Sequence, residues 1–228
     1  MKTDILGRII EHIEAKRPIV LATDLGSGEQ RLLQSGEGAD ENERANVQTA
    51  LRLDKAITAD TDAEPRTFYQ PFNPPLRMVL VGAVHIAQPL SVMATLAGYE
   101  VTIVDPRSAF AASERFPGVE LNRAWPDEAL ESLGLDARSA VVTLTHDPKL
   151  DDPALQVALR SDAFFIGCLG STKTHATRVR RLAKAGFSEA ALQRLHGPVG
   201  LPIGSRSPAE IAVSVLAQVI QTLRRPTS

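Results

Sequence analysis

Four short apolar runs, separated by segments long enough for a helix, constrain this chain more than any other feature. They are Met78-Val79-Leu80-Val81, Glu100-Val101-Thr102-Ile103-Val104, Ala140-Val141-Val142-Thr143-Leu144 and Ala163-Phe164-Phe165-Ile166. A strand covered on both faces reads as a continuous apolar run. Joining it to a parallel neighbour takes a crossover of about a dozen residues or more, usually a helix. The repeated alternation therefore predicts an α/β fold, a Rossmann-like doubly wound parallel sheet. The last helix is the best marked. Ser207 caps it, Pro208 opens it and Glu210 completes an S-x-x-E box. Ile211, Val215, Leu216, Val219, Ile220 and Leu223 follow as an apolar stripe, closed by Arg224-Arg225-Pro226.

The first third reads differently. Thr3 is placed to cap a helix whose Ile5, Ile9, Ile10 and Ile13 fall at helical spacing. Residues 18–23 read as a strand, Gly26-Ser27-Gly28 as a turn, and residues 29–34 as the returning arm of a hairpin. A helix over residues 40–55 starts with Asp40 and Glu43 as a capping pair. Residues 66–70 are a further strand. Asn73-Pro74-Pro75 is a stiff linker, since proline fixes φ and removes a donor. The expected organisation is a small N-terminal α/β domain over residues 1–72 and the Rossmann domain over residues 73–228.

Composition narrows the function classes. A formal net charge of −2 argues against a nucleic-acid binder, which normally carries a basic excess. The lone cysteine, Cys168, excludes an internal disulfide framework and a cysteine-built zinc site. Residues 78–99 hold no charged side chain, only His85, yet Gln88, Pro89 and two glycines interrupt them. A buried strand followed by a buried helix accounts for them better than a membrane span. A soluble, cytoplasmic protein is expected, without nucleic-acid or membrane partners.

The residues that carry chemistry cluster where predicted strands end. In Gly82-Ala83-Val84-His85-Ile86-Ala87 the first glycine and the closing alanine of a dinucleotide fingerprint are present, but Val84 stands where a second glycine lets a pyrophosphate approach. Asp105 follows Gly82 by 23 residues, where an acidic residue often receives a ribose hydroxyl, and Arg107 is placed for a phosphate. The competing reading is a tight strand-to-helix turn with Asp105 capping a loop. His146 and Asp147 follow the third run, as a mutually orienting general-base pair, as a transient metal site, or as a solvated loop or helix cap. Gly170, Ser171 and Lys173 lead from the fourth run into a helix. Such a start offers free backbone N–H groups to an anion, although Arg178, Arg180, Arg181 and Lys184 also suit a merely solvated basic helix. The segment from Gly197 to Gly204 specifies one loop shape, suited to closing over a ligand or to an interdomain surface. Cys168 reads as a small buried apolar side chain, with a thiol role near the ligand as the alternative.

Taken in order, these stretches resemble the XdhC/CoxI family of accessory proteins of molybdenum hydroxylases such as xanthine dehydrogenase. The resemblance rests on Gly82 to Ala87, Val104-Asp105-Pro106-Arg107, Glu114-Arg115-Phe116-Pro117, Thr145-His146-Asp147, Ile166 to Ser171, Gly200 to Gly204, and Pro208 to Ala212. It implies a chaperone without turnover of its own, which binds molybdenum cofactor as molybdopterin or its dinucleotide form and delivers it to a hydroxylase apoenzyme. The candidate ligand-binding set at these strand ends is Gly82, Val84, His85, Asp105, Arg107, His146, Asp147, Gly170, Ser171 and Lys173, with no catalytic residue and no metal ligand. Two departures stand out. The family usually has glycine at the place of Val84, and its N-terminal domain usually carries an S-G-G-C-x-E stretch that residues 1–77 lack. The chain reads as a short form. An NAD(P)-dependent oxidoreductase and a nucleotide-sensing regulatory module stay open as alternatives, as does a homodimer.

Overall fold

The computed structural model describes residues 3–59 and 66–224. The chain divides into two compact units, Met1–Pro74 and Pro75–Ser228.

The first unit is a four-stranded antiparallel sheet between two helices. Helix α1 (Thr3–Glu14) precedes β1 (Ile19–Asp24) and β2 (Gln30–Leu33), which form the expected hairpin. The side chain of Thr3 lies outside the described residues. Helix α2 (Glu41–Leu53), β3 (Ile57–Thr58) and β4 (Thr67–Phe72) complete the order β2-β1-β4-β3. Because side chains alternate along a strand, Val20 and Ala22 meet Val47 and Ala50 of α2, while Leu21 meets Ile5 and Ile9 of α1. Ile10 and Ile13 are exposed, so the expected four-residue stripe is narrower. Positions 5, 9 and 12 share one helix face, and the buried third member is His12. Asp40 accepts the Glu43 amide at 2.8 Å. The Glu43 carboxylate reaches one residue further than a capping box, to the Ala39 amide at 2.6 Å, because Arg31 holds its other oxygen at 2.8 Å.

The second unit carries six parallel strands: β5 (Leu76–Val81), β6 (Tyr99–Val104), β7 (Glu120–Asn122), β8 (Ser139–Thr143), β9 (Phe165–Cys168) and β10 (Leu195–His196). Their order, β10-β9-β8-β5-β6-β7, is the doubly wound arrangement of a Rossmann domain. Helices α3 (Ala87–Leu96) and α8 (Pro208–Arg224) pack on Met78, Leu80 and Ile103 at one face. Helices α4 (Pro126–Leu133) and α5 (Pro148–Arg160) cover Val79, Val81 and Val141 at the other. There α6 (Thr172–Lys184) adds Leu182, and α7 (Glu189–Leu192) is a single turn. The α8 capping box is complete: Ser207 Oγ accepts the Glu210 amide at 3.2 Å, and Glu210 accepts the Ser207 amide at 2.9 Å. Such a cap is worth about 1 kcal/mol. Ile220 is 38% exposed and falls off the α8 stripe, whereas Leu223 in the last turn still packs against the core. Arg225 and Pro226, expected to close it, lie outside the described residues. Among the described residues, no helix is long and apolar enough to cross a membrane.

Candidate functional site

The strand order reverses between β5 and β8, and at such a switch point ligands bind beyond the carboxyl ends of the strands. Three turns meet there. The first follows β5. Gly82 sits at φ +113°, a conformation L side chains rarely adopt, and a Cβ on it would lie 2.5 Å from the Thr145 methyl group. The second turn, after β8, places Thr145 against Gly82 and holds His146 at φ +62°. The third follows β9, where a Cβ on Gly170, at φ +141°, would stand 3.7 Å from His146 Nδ1. The glycines thus let three backbone turns close to one another across neighbouring strands.

Asp105 fixes the first turn. Its carboxylate is fully buried and accepts from the Ala83 amide at 2.8 Å, the Arg107 amide at 3.0 Å, and Arg107 Nε and Nη2 at 2.9 and 2.8 Å. Burial pushes its carboxyl upward, but the hydrogen bonds from Arg107 and Ala83 outweigh burial and hold it below the usual carboxylate range. Arg107 is raised in turn, chiefly by Asp105, with the negative fields of Asp147 and Asp151 adding to it. It also lies 4.3 Å over the Phe110 ring. Both residues expected to meet a ribose and a phosphate are thus engaged with each other, and in this state they brace the turn. Val84 packs half-buried against the core beside α3, whereas His85 is exposed.

Asp147 does not orient His146; it caps α5, accepting the Lys149 amide at 2.9 Å. Ser171 caps α6 through the Thr174 amide at 3.1 Å. Beside these two helix starts lies a cleft of about 250 Å³, which brings His146 and Lys173 together with Asp151, Thr177 and Arg178.

Asp151 and Arg178 were not legible as site residues, and Thr145 stood out only as part of the Thr145-His146-Asp147 stretch. Asp151 is 1% exposed, and its Oδ1 accepts the Thr145 hydroxyl at 2.6 Å, tying α5 to the turn against Gly82. Burial pushes its carboxyl upward against the Thr145 hydrogen bond and the Arg178 charge. Arg178 is also 1% exposed, although it stands in a run that reads as a solvated basic face. The signal for it was spacing: it lies four residues before Leu182, on the inward face of α6. Cys168 is fully buried, and burial pushes its thiol up to about 12. The loop from Gly197 to Gly204 bonds inward, Val199 to Cys168 and Leu201 to Ser214, and so ties β9 to α8. Among the described residues, no group of three or more His, Cys, Asp or Glu side chains is arranged to hold a metal ion.

Fold and site together define a class: a Rossmann-type domain whose crevice is built from glycine turns and helix starts. The family model described as the XdhC Rossmann domain matches residues 78–219. The chain belongs to the XdhC family. It is 33% identical over 165 residues to a probable xanthine dehydrogenase subunit from Bacillus subtilis, covering 72% of this chain and 48% of that protein. It is 30% identical over 148 residues to the molybdenum cofactor insertion chaperone PaoD of Escherichia coli, covering 65% and 40%. The chain spans less than half the length of these curated relatives. Its fold is similar to that of a Bacillus halodurans protein solved as a xanthine dehydrogenase, with a TM-score of 0.68 at 23% identity over 97% of this chain and 64% of that one.

Proposed function

We propose that this protein is an accessory factor that binds molybdenum cofactor, as molybdopterin or its dinucleotide form, and delivers it to a hydroxylase of the xanthine dehydrogenase type. The observation that carries the reading is the meeting of the turns at Gly82, Thr145-His146 and Gly170 at the switch point. The family membership and the named role of the Escherichia coli relative support it.

The cargo carries a phosphate or a nucleotide diphosphate. Helix starts with free amides bind such groups through aligned N–H donors and the helix dipole. In this reading the phosphate faces the turns at Gly82 and Gly170, with Ser171 and Lys173 on one side and His146 and Asp147 on the other. Val84 and His85 follow the first turn at its rim, and Asp105 with Arg107 keeps that turn in shape. Backbone amides and one or two cations suit a carrier, because they hold an anion firmly without a covalent anchor and release it to a partner.

Deleting the protein from its host is expected to leave the partner hydroxylase folded, with its other cofactors in place, but short of molybdenum and pterin. Metal and pterin analysis of the purified partner is the test. A normal content of both would overturn the reading.

A further inference from the structure

The cleft between the first turns of α5 and α6 has a feature that the switch-point turns lack: a buried guanidinium with unused donors. Arg178 lines the cleft at 1% exposure. Its Nη2 donates to the Leu169 carbonyl at 3.0 Å, and Nε and Nη1 are buried without a hydrogen-bond partner. Buried donors left unpaired are costly, and more so when they are charged. Each such orphan in a folded protein calls for a reason, and a bound ion is one.

The nearest carboxylate does not complete it. Asp151 Oδ2 stands 3.5 Å from Arg178 Nη2 and has no hydrogen bond, while Oδ1 is committed to Thr145. The other cleft arginine is already matched, since Arg181 forms a two-pronged pair with Asp152 at 2.6 and 2.8 Å. Counting Asp151 against Arg178 and Asp152 against Arg181 leaves Lys173, exposed at the mouth, as surplus positive charge.

We propose that this cleft is a binding site for a tetrahedral oxyanion, phosphate or the phosphoryl end of an ester, with Arg178 as its anchor and Lys173 at its entrance. Guanidinium offers paired N–H donors in a rigid fork that matches two oxyanion oxygens at once. The cleft shares His146 and Lys173 with the phosphate position of the proposed function and adds Arg178 and Asp151, which that reading does not use; the proposal stands whether or not the cargo is molybdenum cofactor.

The test is titration of the purified full chain with inorganic phosphate at low ionic strength, followed calorimetrically, with sulfate and ribose 5-phosphate in parallel. Saturable binding to one site is expected. Arg178→Lys keeps the charge but loses the fork, and should weaken binding about tenfold. Asp151→Asn removes the competing charge while an amide oxygen still accepts from Thr145, and should tighten binding several-fold. Lys173→Ala, at the surface, should weaken it about threefold and leave the fold intact, so the result does not hang on a buried variant. Preference for ribose 5-phosphate over phosphate would identify an esterified ligand, and the reverse a free ion; both support the site. Absence of saturable binding to the wild type overturns the proposal, and so does unchanged affinity in Lys173→Ala or weaker affinity in Asp151→Asn. Arg178→Lys and Asp151→Asn touch no residue of the delivery reading, so their outcomes separate this anchor from the glycine turns, and none of these measurements depends on a hydroxylase.

Discussion

Replacing Gly82 by alanine tests whether the meeting of turns is held by close packing or is incidental. Two costs are expected. A non-glycine residue at φ +113° is strained by about 1–3 kcal/mol. The new Cβ would also stand 2.5 Å from the Thr145 methyl, roughly 1 Å inside carbon–carbon contact. Thr145 cannot retreat cheaply, because Asp151 holds its hydroxyl at 2.6 Å. Overpacking of this kind costs about 1–3 kcal/mol, so the sum is about 2–6 kcal/mol, a large share of an ordinary domain's stability. Guanidinium unfolding followed by emission of Trp125, the single tryptophan, reports on the second unit. Thr145→Ser keeps the hydroxyl and removes the methyl, so the double variant should recover the steric part and leave the backbone part. The double-mutant cycle should therefore show a favourable coupling of about 1–3 kcal/mol. A Gly82→Ala protein within about 0.5 kcal/mol of wild type, or a cycle without coupling, would refute the reasoning.

Asp105 gives a pH-dependent counterpart. Its native carboxyl lies below the unfolded value of about 3.9, so its contribution is complete above that pH and disappears as pH falls through the native value. Asp105→Asn should lower stability by about 1–2 kcal/mol at neutral pH, at the low end for a buried pair because Arg107 is 35% exposed. It should also flatten the loss of stability below about pH 4, and an unchanged acid limb in a denaturation series would contradict the assignment. The thiol of Cys168, buried and pushed up to about 12, should not react with an aromatic disulfide reagent in the native protein and should release one equivalent on unfolding. Fast reaction under native conditions would mean the thiol reaches solvent. Gly200→Ala would drive its Cβ into Ser214 Oγ on α8 at φ +107° and should cost at least about 2 kcal/mol; adding Ser214→Ala should return part of it.

The strands that were legible are those buried on both faces. β5, β6, β8 and β9 announce themselves as apolar runs because both of their faces need cover, whereas β7 (Glu-Leu-Asn) and β10 (Leu-His) are edge strands of two or three residues with little apolar pattern. Turn chemistry was equally readable: Gly82, Gly170 and the Ser207–Glu210 box sit where local sequence alone sets the backbone. Long-range pairing was not. Asp105 was found by its distance from Gly82, but its commitment to the Ala83 amide follows from the β5–β6 pairing, which no local spacing encodes. Arg178 shows the limit best. A buried cation in a basic helix looks like its exposed neighbours until the packing face is known, and the Asp151 opposite it belongs to another helix.

The position of α8 has a consequence for how the protein is made. The sheet face bearing Met78, Leu80 and Ile103 is covered by α3 and by Ala212, Val215 and Val219, which the ribosome adds more than a hundred residues after β5. Until that last helix emerges, a broad apolar surface of the nascent second unit has only half its cover. The first unit has by then emerged whole, with a core of its own between its sheet and its two helices. Synthesis therefore delivers a finished small domain followed by an unfinished large one, and the interval between them is when the growing chain is most open to aggregation and most in need of holding by a general chaperone.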